Sequence, residues 1–257
     1  MKDQFLKEFL DKKVAHYNQP LFIEGDPISV PHLFTKQQDI EIAGFFSAIL
    51  AWGNRTTIIK NSRLLMQWMD HAPYDFILHH KEKDRIPFLQ FRHRTFNATD
   101  LLFFLEFFQE YYSHFYSLET AFTAHVKKTD TTTERALSGF YNMCFAGDHP
   151  ERTHKHIASP AKHSACKRLN MFLRWMVRDD DHGVDFGLWK TISPAQLVCP
   201  MDVHVARVAK KLNLVDTDMV NWKTATSLTD YLRTFDPADP VKYDFALFGL
   251  GVVEKYA

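Results

Sequence analysis

The stretch SACKRLNMFLRWMVR, residues 164–178, decides the fold class. Ser164 is a candidate helix cap, and Ala165, Leu169, Phe172, Leu173 and Met176 recur at helical spacing on one side. Lys167, Met171, Arg174 and Arg178 follow i, i+4, i+7 and i+11 on another, so the basic groups share a stripe. The acids and glycines of DDDHGVDFG, 179–187, end the helix. Downstream, CPMDVHVARVAKKLNL, 199–214, starts a helix at Pro200 and Asp202 whose buried side would be Val205, Val208, Ala209 and Leu212.

Upstream the same period recurs. IEIAGFFSAILAW, 40–52, opened by Asp39, is apolar on nearly every face, the mark of a helix enclosed by others. A second helix begins at Thr56 or Thr57 and runs to about Met69. Asp100 caps LLFFLEFFQEYYSHF, Ser117 caps LETAFTAHV, and TTTERALSGFYNMCF follows a threonine cluster suited to a cap. TSLTDYLRTF is helical, DPADP breaks it, and VKYDFALFGLGVV closes on Gly249 and Gly251. Strand signals are thin, so the fold class is all-α. The polar connection GDHPERTHKHIASPAKHS, 147–164, has the length of a functional or mobile loop.

The 257 residues suffice to bury a core without a metal or disulfide staple, and 23 Phe supply much of it. No apolar run reaches the roughly 18 residues a membrane span needs. The charged start MKDQFLKEFLDKK does not read as a secretory signal, so the expected compartment is the cytoplasm, with no membrane partner. Cys144, Cys166 and Cys199 are an odd, widely spaced set without a CxxC pair, which excludes a disulfide framework and a Cys-rich metal or cluster site. Thirty-one Lys and Arg balance thirty-one Asp and Glu. The distribution is uneven: Arg152, Lys155, Lys162, Lys167, Arg168, Arg174 and Arg178 stand in a run with no acid, which predicts a local cationic surface.

Lys167 with Asp202 is the constellation that carries chemistry. A nucleophilic lysine needs cationic neighbours, a helix N-terminus or desolvation, and Arg168, Lys162 and the first turn of the helix would supply them. The plainer readings are a solvated basic helix face for Lys167 and an N-cap for Asp202. His149, His154, His156 and His163 cluster in a way that suggests zinc, yet there is no HExxH, and only Asp148 and Glu151 lie near as carboxylates. A surface loop with pH-sensitive charge is the expectation, with no metal and no cofactor. Gly249 and Gly251 lack the strand and helix of a dinucleotide site and read as chain-end packing.

Residues 164–189 with 199–214, together with EIAGFFSAILAWGNRTTIIKNSRLLMQWM near the start and DPVKYDFALFGLG near the end, resemble a bacterial family of uncharacterised proteins. More remotely, the chain is similar to the helix-hairpin-helix base-excision DNA glycosylase superfamily. That resemblance implies two helical lobes with a cleft between them in one unit over 1–257, the lobes being approximately 35–178 and 1–34 plus 190–257. KRLNMFL matches the lysine helix and implies Lys167 as the catalytic amine. PMDVHVARVAKKL matches the Pro-x-Asp-x-His helix and implies Asp202, with His204 beside it. FSAILAWGNRT matches the helix and loop that approach the minor groove, implying Trp52, Asn54 and Arg55 as DNA contacts. The Gly-rich hairpin is absent, HIASPAKHSACK standing in its place, so Lys162 and Arg168 would grip phosphate, with Arg174 and Arg178 as further phosphate contacts. The 35-residue separation of Lys167 and Asp202 is similar to that of archaeal 8-oxoguanine glycosylases, which also lack the ordinary hairpin.

The resemblance implies a base-excision glycosylase with AP-lyase activity on damaged duplex DNA, in which Asp202 stabilises the cationic sugar and Lys167 attacks C1′. Two other readings stay open: a nucleic-acid-binding protein of the same fold without chemistry, and a metal-dependent hydrolase built on the histidine loop.

Overall fold

The computed structural model describes residues 2–257, and it is predominantly helical, as the periodicity predicts. The described residues form twelve α-helices: α1 Lys2–Tyr17, α2 Leu21–Glu24, α3 Gln37–Ile49, α4 Arg55–Trp68, α5 Pro73–His79, α6 Ala98–His114, α7 Glu119–Thr123, α8 Glu134–Cys144, α9 Lys167–Val177, α10 Val203–Lys211, α11 Trp222–Phe235 and α12 Tyr243–Phe248. Short 3-10 turns join many of them, and no described helix is long and apolar enough to cross a membrane.

The chain divides into two compact units. One comprises the residues up to Phe22, His125–Ser138 and Ala158–Ala257; the other comprises Ile23–Ala124 and Gly139–Ile157. The bounds differ from the expected lobes, because the lysine helix α9 groups with the C-terminal segment. Its two arginines are tied there by ion pairs to Asp185, Asp239 and Asp244.

The Ile23-containing unit is built on α3, whose residues Ile40 to Ile49 are all buried. The buried acid of α3, Glu41, is fully satisfied. It accepts from the Tyr112 hydroxyl at 2.9 Å, the Ser117 hydroxyl at 2.6 Å and the Leu118 N–H at 2.8 Å, so α3 pins the end of α6 to the start of α7. Around it the phenylalanines interlock: Phe45 meets Phe108 edge-on at 4.9 Å, and Phe122 stacks on Phe140 at 4.0 Å. Two helix starts lie three residues ahead of expectation. Asp39 lies inside the first turn of α3 and accepts from the N–H of Tyr74 in α5, while Asn97 caps α6 and Asp100, three positions inside, returns the bond to the Asn97 N–H. A two-stranded antiparallel hairpin, β1 Arg92–His93 with β2 Phe96–Asn97, is the element the period did not disclose.

In the other unit α1 packs on α12. Gly249 follows α12 where the Tyr17 ring lies so close that a Cβ would come within 2.2 Å of it, which makes the closing glycine a packing requirement. Residues Leu169 to Val177 of α9 are all buried, so the helix is enclosed on every side and not only on its apolar stripe.

Candidate active site

The chain enters α9 through a tight reversal. His163 and Cys166 both adopt left-handed backbone, φ 59° and 50°, a conformation that favours glycine, and the Ser164 hydroxyl accepts from the Cys166 N–H at 3.2 Å. This turn places Lys167 at the first helical position. Asp202 caps α10, as expected, with one carboxylate oxygen: Oδ1 accepts from the N–H groups of His204 at 2.9 Å and Val205 at 3.0 Å. Its other oxygen is left for Lys167, whose Nζ lies 3.9 Å from Oδ2. Both side chains are about a quarter exposed, 26% and 28%, so the pair is reachable from solvent.

The surroundings of Lys167 differ from expectation. Carboxylates lie close to it: Asp202, and Asp244 at the start of α12, whose carboxyl feels the lysine's charge. Asp244 is buried, and burial pushes its carboxyl up to about 6 against the opposing pull of Arg174 and Lys167. Asp244 was not foreseen, because nothing in VKYDFALF marks one acid as interior. Arg168 is half-buried, and desolvation pushes its guanidinium down to about 10. Lys162 is exposed at the end of the turn Pro160–Lys162, and His204 is exposed in the first turn of α10.

Arg174 and Arg178 are not phosphate contacts. Both are buried, 3% exposed, in a network where Arg174 binds Asp185 and Asp244, and Arg178 binds Asp239 at 2.8 Å, Asp185 at 3.0 Å and Asp180. A guanidinium so enclosed has its donors committed to carboxylates. The partners stood in the sequence all along: three of the four lie in the DDDHGVD segment and the DPADP break. The predicted cationic surface shrinks further because Arg152 is clamped to the buried Asp100, Asn97 and the Thr95 carbonyl.

All three thiols are free and buried. Burial pushes Cys144 and Cys199 well above the usual thiol range and Cys166 to about 12.

In the Ile23-containing unit Asn54 is the cap of α4, its side chain accepting from the Thr57 N–H at 3.1 Å. Arg55 opens that helix beside a recess of about 590 Å³ that it shares with Lys60 and Arg63. Trp52 is half-buried, and the Arg94 guanidinium lies over its ring at 4.8 Å. Arg94, at the tip of the hairpin, was missed by sequence reasoning; the signal was the alternating basic pair of FRHRTFN.

The histidine loop is more ordered than expected. His156 and Thr153 are buried against Asp100, with His156 Nε2 3.2 Å from the carboxylate and the Thr153 hydroxyl donating at 2.9 Å. Burial raises Asp100, but His156, the Asn97 N–H and Thr153 outweigh it and hold the carboxyl below its usual range. His149, Glu151 and His154 bring their ligand atoms within 4.8 Å of one another, the arrangement best placed to hold a metal among the described residues. The two histidines are joined in a hydrogen-bonded chain. The Gly147 carbonyl can only accept, so His149 donates from Nδ1 at 2.6 Å; its Nε2 then accepts from His154 Nε2–H at 2.6 Å, and Tyr141 donates to His154 Nδ1. Two nitrogens sharing a tetrahedral zinc stand about 3.3 Å apart, wider than this pair.

The family described as a protein of unknown function (DUF2400) matches residues 26–253. The chain belongs to this family. The matched residues include Lys167, at the head of α9, and Asp202, which caps α10. No curated protein and no solved structure matches the chain.

Proposed function

We propose that this protein is a DNA base-excision glycosylase with AP-lyase activity, Lys167 being the nucleophile and Asp202 its partner. The reading is supported above all by the 3.9 Å approach of Lys167 Nζ to Asp202 Oδ2, across 35 residues of chain, with the second carboxylate oxygen fixed by the helix start. An amine and a carboxylate so placed suit a reaction in which a sugar becomes cationic and is then captured. The resemblance of KRLNMFL and PMDVHVARVAKKL to segments of the helix-hairpin-helix glycosylases adds to it.

In this reading the target nucleotide leaves the duplex stack, at a cost of a few kcal/mol. The C1′–N bond breaks with its electron pair departing on the base, which takes a proton from water, and ionised Asp202 faces the cationic C1′. Asp202 accepts a proton from Lys167, whose nitrogen pair forms the bond to C1′. Ring opening gives the iminium, loss of a C2′ proton expels the 3′ phosphate, and water releases the aldehyde and the amine. Oxidised purines are the lesion class to test first.

The test is single-turnover excision and nicking on duplexes carrying 8-oxoguanine, an oxidised pyrimidine or an abasic site. Wild type should nick at least one, and Lys167→Ala should lose nicking by 10³-fold or more, as expected for loss of a nucleophile. A Lys167→Ala protein that nicks at the wild-type rate removes the proposal.

A further inference from the structure

The hairpin of the Ile23-containing unit carries a feature the lysine site does not use. Arg92, Arg94, Thr95, Asn97, Arg152 and Lys155 line a recess of about 340 Å³ with four cations and no acid on its wall. Asp100 neutralises Arg152 from behind and holds it in place, which leaves three charges. Arg92, Arg94 and Lys155 are exposed, and no carboxylate of the described residues pairs with them. Like charges so gathered repel unless an anion joins them.

The geometry around Arg94 is built rather than incidental. Its backbone is left-handed, φ 55°, at a turn position that favours glycine, so strain is tolerated to keep this side chain there. The guanidinium lies over the Trp52 ring at 4.8 Å. The neighbouring Gly53, φ 106°, leaves room for it, since a Cβ there would lie 2.8 Å from the Arg94 Nη1. His93 fastens the hairpin to this loop: its Nε2–H donates to the Trp52 carbonyl at 3.2 Å, and its Nδ1 accepts from Asn61 at 2.9 Å.

We infer that this recess binds the phosphodiester backbone of the nucleic acid, Arg92, Arg94 and Lys155 contacting phosphate oxygens while Trp52 holds the Arg94 plane. A planar guanidinium seated on an indole keeps a fork of donors aimed outward, the arrangement that suits phosphate. The identity of the anion rests on the proposed function; the recess itself does not.

The experiment titrates a labelled duplex carrying an uncleavable abasic analogue against wild type and each variant from 50 to 300 mM salt. Arg94→Ala and the double variant Arg92→Gln/Lys155→Gln should each weaken binding about tenfold or more. The slope of log K against log salt should flatten by roughly 0.9 for each phosphate that is no longer neutralised. Arg94→Lys should keep most of the slope. Nicking by the recess variants at saturating protein, set beside their binding, separates the two proposals. If the recess variants bind with wild-type affinity and slope, the inference is overturned while the lysine chemistry stands. If they weaken binding while no nicking is seen with any lesion, the inference stands and the glycosylase reading falls. Stabilisation of wild type by millimolar inorganic phosphate, with duplex affinity unaffected by the variants, would mean a small-phosphate site and would also overturn it. Circular dichroism and melting of each variant check that these exposed changes leave the fold intact.

Discussion

Asp202 performs two tasks with two oxygens. Oδ1 closes the start of α10, and Oδ2 addresses Lys167. Asp202→Asn keeps a cap of similar strength, so the melting temperature should change little while excision slows by about 10²-fold or more. Asp202→Ala should add a loss of about 1 kcal/mol in stability. Equal excision rates for Asn and Asp at this position would leave only the cap. Asp244 close to the pair makes a pH prediction. Its folded pKa, about 6, stands above the 3.8 of the unfolded carboxyl, so the folded state binds the extra proton more tightly between those values. Its unfavourable contribution is fully present above pH 6 and fades as pH falls toward 3.8. Between pH 7.5 and 5, wild type should therefore gain about 1 kcal/mol relative to Asp244→Asn. Parallel stability curves for the two proteins would show that Asp244 does not titrate there.

At the scale of elements, α9 shows what a sequence pattern conceals. Its apolar stripe, Leu169, Phe172, Leu173 and Met176, was legible because burial against one side imposes the helical period. The fate of Arg174 and Arg178 was not, because their spacing on a helix is the same whether the facing groups are phosphates or carboxylates of the same chain. The structure supplies Asp180, Asp185, Asp239 and Asp244. Removing one member strands buried charge, so Arg174→Ala should cost about 3–5 kcal/mol and broaden or abolish cooperative melting, whereas Lys162→Ala, at an exposed turn end, should be near neutral. An Arg174→Ala protein as stable as wild type would contradict the network. Gly249→Ala, which forces a Cβ into the Tyr17 ring, should cost about 1–3 kcal/mol.

Over the whole molecule, the helical class and the start of α10 were readable, since caps and periodicity are local, whereas α9 starts two residues after the expected Ser164 cap allows, at Lys167 behind Cys166. The hairpin was hidden by its length, two residues a strand, and with it Arg94. The division into units differs from the expected lobes, since it depends on contacts between segments distant in the chain. The histidine loop was read as surface, yet Asp100 pulls His156 and Thr153 inside; only partners brought by α6 could reveal that. The bonding chain Tyr141–His154–His149–Gly147 predicts purified protein without stoichiometric zinc. One equivalent of zinc, lost with His149→Ala and His154→Ala, would revive the hydrolase reading.

The central claim is that Lys167 forms the bond to C1′. Borohydride added during reaction with an abasic duplex, followed by proteolysis and mass spectrometry, reads that bond directly. The account predicts a reduced sugar adduct on the peptide bearing Lys167, absent from Lys167→Ala and retained in Lys162→Ala. A protein that yields no adduct, or one whose adduct maps to another amine, contradicts it.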